Sequence, residues 1–127
     1  MRIATDTKCE QVDISASRSE FREMATAVKQ LIPGETASFD GDSGRDVSPW
    51  DRSLARLAVA AQDGPVCATV VDDAVVITGS RSMLDVLTSY MEFPEDAHSG
   101  YHHHHEYFEG DQYIDPKSVP LIFTMEE

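Results

Sequence analysis

Between Ser82 and Pro116 the chain has neither lysine nor arginine, yet that stretch holds all five histidines and eight carboxylates: Asp85, Glu92, Glu95, Asp96, Glu106, Glu109, Asp111 and Asp115. A surface built from it repels nucleic acid and anionic lipid, and its natural counterpart is positive: a metal ion, a basic protein or protons shared among imidazoles. Long apolar runs are also missing. The longest, Leu57 to Ala61 and Val66 to Val71, are far too short to cross a bilayer. The first residues, Met1 to Lys8, lack the apolar stretch of a secretion signal, so the expectation is a cytoplasmic protein without membrane contact. Cysteine is scarce. Cys9 and Cys67 are far apart with no CxxC spacing, and are expected to be reduced core residues. Phosphate-cradling glycine loops, GxSxG and HExxH are absent, and neither cysteine has a nucleophile context, so the chain reads as a non-enzyme.

What is present suits one domain of 127 residues, with 41% hydrophobic residues and a net charge of −13. The charge is uneven. Residues 1–63 carry eight basic and eleven acidic side chains, a net of −3, whereas residues 64–127 carry two and twelve, a net of −10. Apolar residues at Phe21, Met24, Ala25, Val28, Leu31 and Ile32 predict a helix over Arg18 to Ile32, opened by a Ser17/Glu20 capping box and stopped by Pro33-Gly34. A second helix is predicted over Arg81 to Phe93, capped by Ser80 and ended by Pro94. Strands are predicted at Gln11 to Ser15, Leu54 to Ala61, His102 to Phe108 and Val119 to Met125. The runs Val66 to Val71 and Ala74 to Thr78, joined by Asp72-Asp73, read as a hairpin.

The two halves echo each other. Val12-Asp13-Ile14-Ser15-Ala16-Ser17-Arg18-Ser19 matches Val75-Val76-Ile77-Thr78-Gly79-Ser80-Arg81-Ser82 at a shift of 63 residues, and Phe39 to Asp42 echoes Phe108 to Asp111 at another shift. The expected fold is therefore α+β: a largely antiparallel sheet with two helices on one face, built from two degenerate ββαββ halves, 1–63 and 64–127. Glu35 to Asp51 is polar and glycine-bearing, and it reads as a long loop, with Trp50 as a candidate aromatic anchor for a partner.

In a strand, His102, His104 and Glu106 share one face, and Tyr101, His103, His105 and Tyr107 the other. Imidazoles two residues apart with a carboxylate suit zinc or nickel, so His102, His104 and Glu106 form a candidate metal set. His103, His105 and Glu109 also fit the first cupin motif, but no second histidine motif follows. Acidic neighbours raise the pKa of exposed histidines, whereas burial lowers it.

Several features resemble the immunity proteins that accompany bacterial polymorphic toxins, in particular the group called immunity protein thirty-two. They are Ile77-Thr78-Gly79-Ser80 leading into Met83, Leu84 and Leu87, then His102, His104, Glu106 and Tyr107, then Ser118, Leu121 and Ile122. The resemblance covers about residues 75–125 and implies a cytoplasmic, non-catalytic protein that neutralises a cognate toxin by binding it. A basic, nuclease-type toxin suits the charge. The expected contact residues are His102, His104, Glu106, Glu109, Asp111 and Trp50. Two alternatives stand beside this: a metal-binding protein or metal-dependent enzyme using the His-x-His-x-Glu strand, and an acidic mimic of nucleic acid.

Overall fold

Ser17 and Ser80 open the two helices with nearly the same backbone angles, φ −70° and ψ 162° against −71° and 164°. The structure, a computed structural model, describes residues 1–42 and 46–127. Its elements run β1 (Arg2–Thr5), β2 (Val12–Ala16), α1 (Arg18–Lys29), β3 (Thr36–Asp40), β4 (Arg52–Ser53), β5 (Arg56–Ala61), β6 (Cys67–Val71), β7 (Ala74–Gly79), α2 (Arg81–Ser89), β8 (His102–His105) and β9 (Leu121–Met125). The class is α+β, as expected, but the strands divide into two mostly antiparallel sheets, ordered β4-β1-β2-β9-β8 and β3-β5-β7-β6.

Each sheet joins the first hairpin of one half to two later strands of the other, β8 and β9 in one sheet and β3 and β5 in the other. β2 lies parallel to β9, and β7 parallel to β5. Exchanging β1 with β6, β2 with β7, β3 with β8 and β5 with β9 turns one sheet order into the other, with β4 left over. The halves are thus interleaved, which is why a single sheet does not form. The shift of 63 residues carries through to packing: Phe21, Met24, Ala25 and Val28 of the first half match Leu84, Leu87, Thr88 and Met91, and all eight are buried. One buried apolar cluster spans both halves.

The repeated arginines lock the halves together. Arg18, the first residue of α1, donates to the Phe93 and Pro94 carbonyls at 2.8 and 2.9 Å, beyond the end of α2. Arg81, the first residue of α2, donates to the Val28 carbonyl and, at 3.0 Å, to the Leu31 carbonyl at the end of α1. Val28 O also accepts from Leu31 N–H at 3.2 Å and Pro94 O from Ala97 N–H at 3.0 Å, so each arginine adds bonds to carbonyls at the helix end of the other half.

Both helices end earlier than their apolar pattern. Ile32 precedes Pro33, which disfavours the helical conformation there, so α1 stops at Lys29 and Ile32 is 62% exposed. In α2 the hydroxyls of Thr88 and Ser89 bond back to the Asp85 and Val86 carbonyls and compete with the helical amides, so the helix closes at Ser89 rather than Phe93. Ser80 caps by backbone shape alone, without a side-chain bond. Ser17 and Glu20 form the full capping box. The bonds from Ser17 and the amino-terminal ammonium hold the Glu20 carboxyl below its usual pKa.

The expected strand over Leu54 to Ala61 begins only at Arg56, after the two-residue β4 of the other sheet, because successive amides serve different sheets. Leu54 N–H donates to Ile3 O and Ala55 N–H to Asp73 O. Gly41 fits this crossing, where a Cβ would stand 2.7 Å from the Leu54 carbonyl. The start of β9 is trimmed likewise, since Val119 N–H is given to Ala68 O of the other sheet. Part of the expected loop over residues 35–51 is strand β3, whose Ala37 and Phe39 pack against the core while Thr36, Ser38 and Asp40 stay exposed. Residues 43–45 of that loop lie outside the described residues. Both cysteines are free, as expected, but half-buried rather than in the core. Burial raises the Cys67 thiol pKa. Among the described residues, no helix is long and apolar enough to cross a membrane.

Candidate partner-binding edge

β8 is the outer strand of the five-stranded sheet, paired only with β9 from His102 opposite Thr124 to His105 opposite Leu121. It stops at His105, not at Phe108. Glu106 opposite Pro120 would be a pair without ladder bonds, and the next bonded pair, Tyr107 with Val119, does not form because Val119 N–H is given to Ala68 O of the other sheet. Glu106 and Glu109 therefore stand beyond the strand, exposed, and Phe108 is 67% exposed.

The alternation sorts the histidines into two environments. His103 and His105 face inward, beside Phe123 and Leu121 of the core. His105 is 1% exposed, its ring meets Tyr90 edge-on at 4.8 Å, and its Nδ1 has no hydrogen-bond partner. Burial pushes its pKa down to about 4 from the ordinary 6.5, and its own backbone bond and the Asp111 charge only partly oppose this. Here desolvation outweighs the acidic neighbourhood. His103 stacks on Phe93 at 4.9 Å, and its Nε2 lies 2.9 Å from the Glu92 carbonyl. His102 and His104 point outward, with ring centroids 5.0 Å apart.

The candidate metal set is not assembled. Its geometry needs the strand to continue through Glu106, and among the described residues no three His, Cys, Asp or Glu side chains come together to hold an ion. Two neighbouring imidazoles remain.

The fold also supplies cations that this stretch of sequence lacks. Lys29 comes within 3.7 Å of Glu92, and Arg18 reaches the Phe93 and Pro94 carbonyls. Beyond that corner the acids are unmatched: among the described residues Glu95, Asp96, Glu106 and Glu109 have no ion-pair partner, and all four are exposed. Asp111 is half-buried, and one of its carboxylate oxygens accepts from Tyr113 N–H at 2.8 Å to close a turn. Trp50 does not join these residues. It is half-buried beside β4, the opposite edge of the sheet, about 19 Å from β8 at about 4.8 Å per strand.

A polar group that the sequence reading passed over shares the outer face with His102 and His104. Register aligns Arg2, Ser15, Thr124 and His102 in one row and Ala4, Asp13, Ile122 and His104 in the next. Asp13 accepts from Thr124 Oγ1 at 2.7 Å, Ser15 Oγ at 3.1 Å and Arg2 at 3.3 Å, although it is only 5% exposed. The signal was the alternation Val12-Asp13-Ile14-Ser15, polar residues in a strand whose both faces turn out to be buried.

None of the family models, curated proteins or solved structures compared with this chain matches it.

Proposed function

We propose that this chain is an immunity protein, a non-catalytic inhibitor that binds a basic, nuclease-type toxin domain through the acidic, histidine-bearing edge of its five-stranded sheet. The observation that supports it best is the set of exposed carboxylates that have no ion-pair partner among the described residues, Glu95, Asp96, Glu106 and Glu109, in segments flanking β8. Such charges speed encounter with a basic partner and act mainly on the association rate. His102 and His104 would lie inside the contact, with Asp111 shaping the loop beside it. Trp50 belongs to a separate patch.

The test is co-expression with the product of the adjacent reading frame, scored as protection from growth arrest, together with binding kinetics. Glu106→Lys with Glu109→Lys should slow association about tenfold at low salt and flatten its salt dependence. Unchanged association would move the interface elsewhere on the molecule.

A second reading, a divalent zinc or nickel ion on His102 and His104, draws its support from the 5.0 Å ring separation. Titration calorimetry with each metal tests it, with His102→Ala/His104→Ala as the control.

A further inference from the structure

We propose that the partner docks by strand addition: an extended basic segment of the toxin domain pairs with the free edge of β8 and lengthens the sheet. The inference rests on the immunity reading and specifies its mode of contact. Its first support is the hydrogen-bond register. Met125 N–H donates to Tyr101 O, so the pairs bonded to β9 are Tyr101/Met125, His103/Phe123 and His105/Leu121. The N–H and C=O of His102 and His104 therefore point away from β9, and among the described residues no backbone group meets them.

The other edges differ. The start of β6 is covered by the chain leading into β9, through Val66 N–H to Tyr113 O, Asp115 N–H to Val66 O and Val119 N–H to Ala68 O. β4 is only two residues long. β8 itself carries neither proline nor lysine, and among the described residues no segment covers its outer edge; a bulge at Gly100-Tyr101, both opposite Met125, precedes it. β3, its counterpart in the other sheet, also has an outer edge, but it lies in the half that holds eight of the ten basic residues.

Charge and side chains identify the occupant. Unpaired carboxylates stand before β8 at Glu95 and Asp96 and after it at Glu106 and Glu109, which favours lysine or arginine on or beside the added strand. Towards the core side the added strand would run beside Tyr101, 43% exposed, and the His103 ring stacked on Phe93, a shelf suited to an arginine or an apolar side chain. A second copy of the chain is a poor occupant, because a net charge of −13 would face itself. Strand addition of this kind takes affinity from main-chain bonds and specificity from alternate side chains.

The probe is the product of the adjacent reading frame, and the readouts are amide hydrogen exchange and affinity. In the free protein the His102 and His104 amides should exchange fast and those of His103 and His105 slowly; in the complex all four should be slow. His104→Pro removes a donor that β9 does not use, so the sheet should survive and the melting temperature hold. Binding should weaken by at least about tenfold beyond the effect of His104→Ala. Ser38→Pro, on the equivalent edge of β3, should leave binding unchanged.

Formation of a complex in which the His102 and His104 amides still exchange fast overturns strand addition while leaving the immunity reading intact. So does equal binding by His104→Pro and His104→Ala. Failure to form any complex overturns both. A free chain that sediments as a dimer with those amides already protected gives the edge to a second copy instead.

Discussion

The two sheets share a core plan and differ on their outer faces. At matched positions, the five-stranded sheet carries Arg2, Asp13, Ser15, Thr124, His102 and His104, where the four-stranded sheet carries Cys67, Val76, Thr78, Ala60, Thr36 and Ser38. Core positions obey one rule in both halves, with apolar residues at every match on the helices except Thr88. One core match between the sheets also departs. His105 occupies the place of Phe39, since their partners Leu121 and Leu57 sit opposite Val12 and Val75, which are 63 residues apart. The echo of Phe39 in Phe108 was thus a false register. Residues that folding requires repeat, and those that do not repeat are the candidates for function.

The largest expected effect tests the His105 exception. Folding lowers its proton affinity, so acid favours the unfolded chain. Stability from this site is intact above pH 6.5 and falls as pH drops, with about 3 kcal/mol lost once pH is below about 4. His105→Phe restores the residue type of the matched site and should remove that component. Urea unfolding at pH 7 and pH 4 decides the matter, and an equal acid loss in the variant would show that the imidazole is not responsible.

Next comes the outer-face difference. Asp13→Asn weakens the ion pair that holds the half-buried Arg2 and should cost about 2 kcal/mol. Val76→Thr at the matched site of the other sheet should change stability by no more than about 0.5 kcal/mol. Equal costs in denaturant titrations would erase the contrast between the faces.

The smallest effect sharpens the symmetry. Arg18→Ala and Arg81→Ala each remove a guanidinium from two carbonyls of the opposite half, and each should lose about 1.5 kcal/mol. If one costs this and the other nothing, the two caps are not equivalent.

Much of this was legible in the chain. The Ser17 box, the 63-residue shift, the hairpin at Asp72-Asp73 and the histidine alternation all depend on neighbours in sequence, where periodicity and turn chemistry act. The early stop of β8 was not, because it depends on Val119, the next bonded partner across the sheet, giving its amide to Ala68 instead. Nor was the Asp13 network, whose partners Arg2 and Thr124 come from strands on either side. β1 had no assigned residues at all, since four residues are too short to show a pattern.

The sequence by itself determined two stretches that echo each other at a shift of 63 residues, two helices opened by serines, an α+β class and an acidic, histidine-bearing second half, because side-chain periodicity and charge composition are properties of the local chain. Tertiary structure alone decided that the halves interleave into two sheets, that Arg18 and Arg81 cap across them, and that His105 is buried while His104 faces water. The physical reason is that hydrogen-bond partners and desolvation are set by what arrives from distant sequence. Leu54 and Ala55, adjacent in the chain, give their amides to different sheets, and no local pattern records that choice.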